Sequence, residues 1–418
     1  MDRRITESIN SCVKCGICRS VCPVFKEEKA EPFVARGHIT LLGELIKGNI
    51  DFDEKESKDY LYKCLLCTTC VEACPNDSPT DMIVEFARNR VIEKHGLPLY
   101  KRIMASVMKN RQLMDFAYKS AGYLSGFLFN EKNGASRAGV ALKVNTPYLS
   151  KDELLPPIAN KKTFIEKYKS QGRAEVALFP GCLINYAYTE IGDALVKILN
   201  KLNISFIVPQ NQLCCGAPIY ASGNLKDAEY LAKKNIEIFE ALDVEYILVL
   251  EPTCASFMVH EYERLFVWLE DKQWEERAAK IAKKIVDPVK FLYENTNLAK
   301  MIKKLDIKTT YHDPCHLKRT QKISKEPRFF IDKASSFTDM KEADRCCGNA
   351  GTFSVDYPEL SKKIASHKVK NIVDAEAEYL VTGCSACMMQ LSGALHRDGR
   401  DDIKTIHTIE LIYKALGD

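Results

Sequence analysis

The nine cysteines of the C-terminal half fall into two sets held at a constant separation. Cys182 and Cys315 stand 133 residues apart, Cys214 and Cys346 stand 132 apart, and Cys254 and Cys387 stand 133 apart. An interval kept at three positions means a duplicated unit, so this half must fold as two copies of one domain. The second copy reads Cys315, then Cys346-Cys347-Gly348, then Cys384-x-x-Cys387. The first reads Cys182, then Cys214-Cys215-Gly216, then Cys254, with Glu251 where the duplication calls for the partner of Cys384. EVALFPGC (175–182), TTYHDPC (309–315), VEYILVLEPTC (244–254) and EYLVTGC (378–384) read as short buried strands that end at a cysteine. Amphipathic helical stretches at 224–242 and 359–373 lie between them. Alternating strand and helix predicts a parallel sheet covered on both faces, with ligands beyond the carboxyl ends of the strands, so each copy gathers its cysteines at one rim. Neighbouring residues of a strand point to opposite faces; a cysteine doublet therefore shares a site only on a bent loop, which the following glycine permits. Two small buried hydrophobes would account for one doublet but not for two at a fixed offset.

Eight more cysteines lie in CVKCGICRSVCP (Cys12, Cys15, Cys18, Cys22) and CLLCTTCVEACP (Cys64, Cys67, Cys70, Cys74). This is the bacterial ferredoxin spacing, in which the fourth cysteine of each run serves the cluster of the other. It assigns Cys12, Cys15, Cys18 and Cys74 to one 4Fe-4S cubane and Cys64, Cys67, Cys70 and Cys22 to a second. Gly16 relieves crowding in the first loop, and Pro23 and Pro75 mark where the chain leaves each site. Structural zinc is the alternative, but zinc ribbons use two separated pairs per metal, whereas each run here supplies a triplet and a distant fourth thiolate.

Composition sets the remaining limits. The chain has 418 residues, 46% apolar and 28% charged, which suits a soluble protein of several domains. Its 17 cysteines are odd in number and follow no export signal, so thiolate ligation is favoured over a disulfide framework. A net charge of +4 without a concentrated patch argues against a nucleic-acid partner. The start MDRRITESIN lacks the apolar centre of a signal peptide, and no run approaches the length of a membrane span, so a cytoplasmic location is expected. Neither G-x-G-x-x-G after a strand nor a Walker A run occurs, so no flavin of its own is expected and substrate oxidation falls to another chain. HDPCH places His312 and His316 beside Cys315, where either could donate to a sulfur; a histidine held structurally at a helix start is the commoner case. Residues 95–172 carry no cysteine and read as helices plus a linker, with Pro156-Pro157 near its end. The basic, amphipathic stretch 101–120 would suit peripheral association with the inner face of a membrane, although packing on the ferredoxin-like domain is the plainer reading.

The pattern C, CCG, C-x-x-C in duplicate behind two ferredoxin runs resembles the CCG (cysteine-rich) domain iron-sulfur proteins. These include the iron-sulfur subunits of glycolate and D-lactate oxidases, the anaerobic glycerol-3-phosphate dehydrogenase small subunit and the heterodisulfide reductase subunits. YHDPCHL (311–317) and CCGNAGTFS (346–354) resemble the second repeat of that group, and ARGHITLLGEL (35–45) its PRGR-type stretch, with His38 as a departure. The resemblance implies an α+β multidomain protein: a helical two-cluster ferredoxin-like domain at 1–100, a helical connecting region at 101–172, and α/β repeats at 173–300 and 301–418. It implies a further, non-cubane 4Fe-4S cluster on Cys315, Cys346, Cys347, Cys384 and Cys387. Cys182, Cys214, Cys215 and Cys254 are either free thiols or ligands of a different centre. The implied function is an electron-transfer subunit that passes electrons from a flavoprotein 2-hydroxy acid dehydrogenase toward a quinone or membrane acceptor. The alternative is a heterodisulfide reductase-like catalytic chain that cleaves a disulfide at the special cluster.

Overall fold

The computed structural model describes residues 3–417 except 52, 133–135, 138, 146–152, 158–161 and 169–171. Much of the expected linker lies outside the described residues. The N-terminal part is helical: Arg3–Asn10, Ala35–Ile46, Glu54–Tyr62 and Thr80–His95 pack around Ile39, Leu42, Leu61, Ile83 and Ala87. Each cysteine run feeds a short helix, Ile17–Val21 and Thr69–Glu72, and these two helices face each other.

A hairpin of β1 (Phe129–Lys132) and β2 (Gly139–Leu142), not expected from the sequence, precedes the two sheets. The first repeat contains β3 (Val176–Phe179), β4 (Phe206–Ile207), β5 (Tyr246–Val249) and β6 (Ile285–Val286), all parallel in the order β4-β3-β5-β6. The second contains β7 (Lys308–His312), β8 (Ser336–Phe337), β9 (Tyr379–Thr382) and β10 (Lys404–His407), all parallel in the order β10-β9-β7-β8. Numbered along the chain, each sheet runs 2-1-3-4. The register repeats as well, for Ala177 pairs with Ile247 and Thr310 pairs with Leu380, both displaced by the interval seen in the cysteines. The central strand β3 is buried at every position, as a strand covered on both faces requires.

The crossovers diverge between the first and third strands of each sheet, the point where open parallel sheets hold ligands. Cys182 and Cys254 follow β3 and β5 there, and Cys315 and Cys384 follow β7 and β9. One apolar core joins the repeats: Ile191, Leu195 and Leu199 of the first pack with Phe330, Met388, Ile409 and Ile412 of the second. Arg137 adds a polar staple, pairing with Glu190 of the first repeat at 2.6 Å and Glu410 of the second at 3.0 Å.

The stretch 101–120 touches the N-terminal domain through Lys101, whose Nζ lies 4.7 Å from the centroid of the Tyr62 ring, but packs mainly on the first repeat. It forms two helices, Leu99–Lys109 and Arg111–Leu128, separated at Asn110, whose side chain accepts from Leu113 N at 3.1 Å. Ala105 and Met108 enter the core of the first repeat, because that is where an uncovered apolar helix surface is offered. Leu113, Phe116, Tyr123, Leu124 and Phe127 of the second helix remain exposed. Among the described residues no helix is long and apolar enough to cross a membrane.

Candidate metal centres

The two N-terminal cysteine runs adopt one backbone path. Lys14 and Gly16 in the first, and Leu66 and Thr68 in the second, have φ of 59°, 88°, 51° and 57°. Left-handed turns at these positions bend the loop around a centre and aim its amides inward. The runs exchange their fourth members. Cys12, Cys15, Cys18 and Cys74 line one cavity, Cys22, Cys64, Cys67 and Cys70 line the other, and Cys70 borders both. Phe25 N donates to Cys22 Sγ at 3.5 Å and Ser78 N to Cys74 Sγ at 3.4 Å. Burial pushes the Cys22 thiol up to about 12 and Cys64 to about 11, so these sulfurs become thiolates only when a metal ion supplies the compensating charge. Arg36 covers the outer set: its Nη1 donates to Lys14 O at 3.3 Å, and its Nε and Nη2 hold Glu31.

In the second repeat the five cysteines form a continuous chain of contacts. Cys315 meets Cys346, Cys346 meets Cys347, Cys347 Sγ lies 3.4 Å from Cys387 Sγ, and Cys387 meets Cys384. Gly348, at φ 89°, turns the doublet so that both thiols face inward, and its N donates to Cys346 Sγ at 3.4 Å. A Cβ at this glycine would stand 2.9 Å from Ser361 O, so the position is closed to other residues. The neighbouring Cys346 and Cys387 thiols, with the His312 imidazole close by, hold Cys347 well below the usual thiol range. His312, at the end of β7, is buried with neither ring nitrogen in a well-aligned hydrogen bond, and a ring nitrogen lies within 4.8 Å of the Cys347 and Cys387 sulfurs. It is thus a donor aimed at this site. His316 fits the structural role, with Nδ1 3.3 Å from Thr253 Oγ1 and 3.7 Å from Cys315 Sγ. The buried Lys368 ammonium caps the loop before the doublet, donating to Glu342 O at 2.6 Å and Ala343 O at 2.7 Å; burial lowers it to about 8.

The first repeat gathers its four cysteines in a similar chain: Cys182 Sγ is 3.5 Å from Cys214 Sγ, Cys214 meets Cys215, and Cys215 meets Cys254. Gly216 at φ 99° repeats the turn of Gly348. Glu251 does not complete this set. It reaches across to the second repeat, where Ser385 Oγ donates to Oε1 and Cys384 Sγ lies 3.7 Å from Oε2. Positions 251 and 384 correspond under the duplication, so their contact marks the local twofold axis that relates the repeats. Burial pushes the Glu251 carboxyl up to about 8, which keeps it protonated and uncharged at neutral pH.

The N-terminal domain and the second repeat meet at sulfur. Cys67 and Cys346 pack in one buried cluster, and the neighbouring thiol together with burial drives Cys67 well up. Val24, Leu65, Phe353, Leu360 and Ile364 seal the junction from water.

Thiol-dominated donor sets, amides on sulfur and buried cations beside them fit iron-sulfur chemistry. Comparison with known families agrees. Residues 8–78 match the 4Fe-4S dicluster domain, and residues 176–259 and 309–392 each match the cysteine-rich domain. The chain belongs to the cysteine-rich domain iron-sulfur proteins. Among its relatives is a probable glycolate oxidase iron-sulfur subunit of Bacillus subtilis (strain 168), 29% identical over 97% of this chain and 94% of that one. Lactate utilization protein A of Geobacillus sp. (strain WCH70) is 33% identical over 57% of this chain and 98% of that one. A fumarate reductase (CoM/CoB) polypeptide of Methanothermobacter marburgensis is 25% identical over 100% of this chain and 74% of that one.

For this cysteine-rich domain protein, the sequence brought all 17 cysteines and the two histidines beside Cys315 to notice but missed the cations that surround them. Arg36, Arg319 and Lys368 sit in or beside quoted motifs without a spacing rule of their own. Their proximity to sulfur arises from packing between segments far apart in the chain.

Proposed function

We propose that the chain is the iron-sulfur subunit of a 2-hydroxy acid oxidation system, carrying electrons between a flavoprotein that oxidises glycolate or D-lactate and a quinone. Iron-sulfur clusters supply one-electron carriage when bound. The chain's own residues bring three cysteine sets into succession: the Cys12 set with its exposed Cys15, the Cys64 set, whose Cys70 also lines the first cavity, and the five-cysteine set of the second repeat beside Cys67. The single observation that carries this reading is the packing of Cys67 and Cys346 in one buried cluster, together with Cys22 and Cys315, which joins the second and third sets. The names of the Bacillus and Geobacillus relatives support the substrate class. On this reading the second repeat holds a special, non-cubane cluster, and the first repeat holds no five-cysteine cluster.

A second reading, disulfide cleavage at the second repeat, draws support from the fumarate reductase (CoM/CoB) relative and the complete five-cysteine set. Thiol-disulfide chemistry needs an accessible sulfur, whereas four of the five, Cys346, Cys347, Cys384 and Cys387, are buried and Cys315 is only half-buried. That burial favours electron carriage.

The test is reconstitution. The purified chain alone should not reduce a dye with glycolate or D-lactate, and it should restore electron flow from a flavoprotein partner to a quinone. Substrate-dependent dye reduction by the chain alone would end this division of labour, and rapid reduction of a mixed disulfide would select the second reading.

A further inference from the structure

One cation stands between two of the cysteine sets with a donor unspent. Arg319 lies on the turn His316–Thr320 that follows Cys315, and its side chain is 3% exposed. Its Nε donates to Glu72 Oε2 at 3.1 Å, on the N-terminal loop between Cys70 and Cys74. Its Nη2 donates to Asp344 O at 2.7 Å and pairs with Asp344 Oδ2 at 3.2 Å, two residues before Cys346. The guanidinium therefore ties the loop of one set to the loop of the other, at the junction where Cys67 meets Cys346. Nη1 is buried and has no partner. A buried guanidinium donor left unpaired is costly, so Nη1 calls for an acceptor at this junction.

We propose that Arg319 is a shared counter-ion and hydrogen-bond donor for two iron-sulfur centres, the one held by the Cys64 set and the one in the second repeat, and that it links their reduction potentials. The proposal rests on the electron-carrying reading above. Reduction adds negative charge at each centre, and a nearby cation with a donor to sulfur favours the reduced state. Removing the cation disfavours reduction of both centres together. Glu72 and Asp344, which balance part of the charge, are partly exposed and so better screened than the buried guanidinium.

The experiment is an anaerobic redox titration of the full chain followed by electron paramagnetic resonance, with iron analysis of every sample. Arg319→Gln should move both midpoints down, by about tenfold in each one-electron equilibrium, or about 59 mV. Arg319→Lys keeps the charge and loses the planar fork, so it should shift both less, and it serves as the readout if Arg319→Gln fails to retain iron. Lys318→Gln loosens the same Asp344 carboxylate, which Lys318 holds at 2.8 Å, without removing the shared cation, and should leave both midpoints near the parent values. A shift of one midpoint only, or of neither, overturns the shared role. Equal shifts in Lys318→Gln and Arg319→Gln also overturn it, because they would mean that only loop position matters. Absence of iron and of every signal in the unsubstituted chain would instead sink the electron-carrying reading.

Discussion

The two repeats share strand order, register and the turn that presents the cysteine doublet, yet they surround their sulfurs differently. Under the displacement of 133 residues, Cys384, His312, Arg319 and Lys368 of the second repeat correspond to Glu251, Phe179, Tyr186 and Asn235 of the first. The second site thus has a fifth thiol, two buried cations and a buried imidazole. At the same places the first has a protonated carboxyl turned away, a phenyl ring, a phenol that donates to Asp115 at 2.6 Å, and a neutral amide that donates to Cys214 O at 3.0 Å. Five thiolates around iron make a strongly anionic centre, and burying such charge demands nearby compensation. The duplication preserved the scaffold while the side chains around the rim diverged.

The largest expected effect comes from removing one matched cysteine at a time. Cys347→Ser should lose the iron centre of the second repeat, about four irons per chain, together with electron transfer to the acceptor. Cys215→Ser should leave those irons and most of the transfer. Iron analysis and the spectrum of each variant check this. Equal losses would erase the asymmetry.

A second difference lies at the helix that closes each repeat. Asp287 caps Pro288–Asn295 in the first, accepting from Val289 N at 2.8 Å, and His407 caps Thr408–Leu416 in the second, accepting from Ile409 N at 3.3 Å. Burial raises Asp287 to about 6 and lowers His407 to about 4. The folded state therefore binds more protons than the unfolded one at Asp287 from about pH 4 to 6, and that stabilisation is lost as pH rises through 6. At His407 the folded state binds fewer protons, so its contribution is complete above about 6.5 and is lost as pH falls toward 4. Each is worth about 3 kcal/mol at full extent. Anaerobic hydrogen exchange from pH 5 to 6.5 should show the last helix of the first repeat weakening as pH rises and that of the second strengthening. Asp287→Asn and His407→Asn should each flatten their own repeat. Parallel slopes in the two repeats would contradict this.

The smallest effect concerns Glu251. An uncharged carboxyl that accepts from Ser385 should be mimicked by an amide, so Glu251→Gln should change stability by less than about 0.5 kcal/mol. Glu251→Ala leaves the Ser385 hydroxyl unpaired and should cost about 1–3 kcal/mol. Denaturant midpoints measure both. A large cost for Glu251→Gln would mean that the carboxyl is charged and the first repeat more polar than its surroundings suggest.

Much of this molecule is legible in its sequence, and the reason is the chemistry of thiolate ligation. A metal centre demands several sulfurs at short range, so loops that hold one carry fixed spacings, and a duplication of such a loop leaves a constant interval. That is why the ferredoxin runs, the doubled α/β unit and the glycines after each doublet could all be read. Even there the reading was partial, for the second run makes its left-handed turn with Thr68 where the first uses Gly16, and no glycine announces it. The hairpin at 129–142 has an Asn133-Gly134 pair in the sequence between its strands, a turn signal that was passed over, and the amphipathic stretch 101–120 did not say which neighbour would cover it. The roles of Arg36, Arg319, Lys368 and Glu251, and the Cys67–Cys346 junction, were decided by tertiary structure alone. Each depends on segments tens to hundreds of residues apart meeting around a buried site, and electrostatic compensation acts through space without leaving a spacing along the chain.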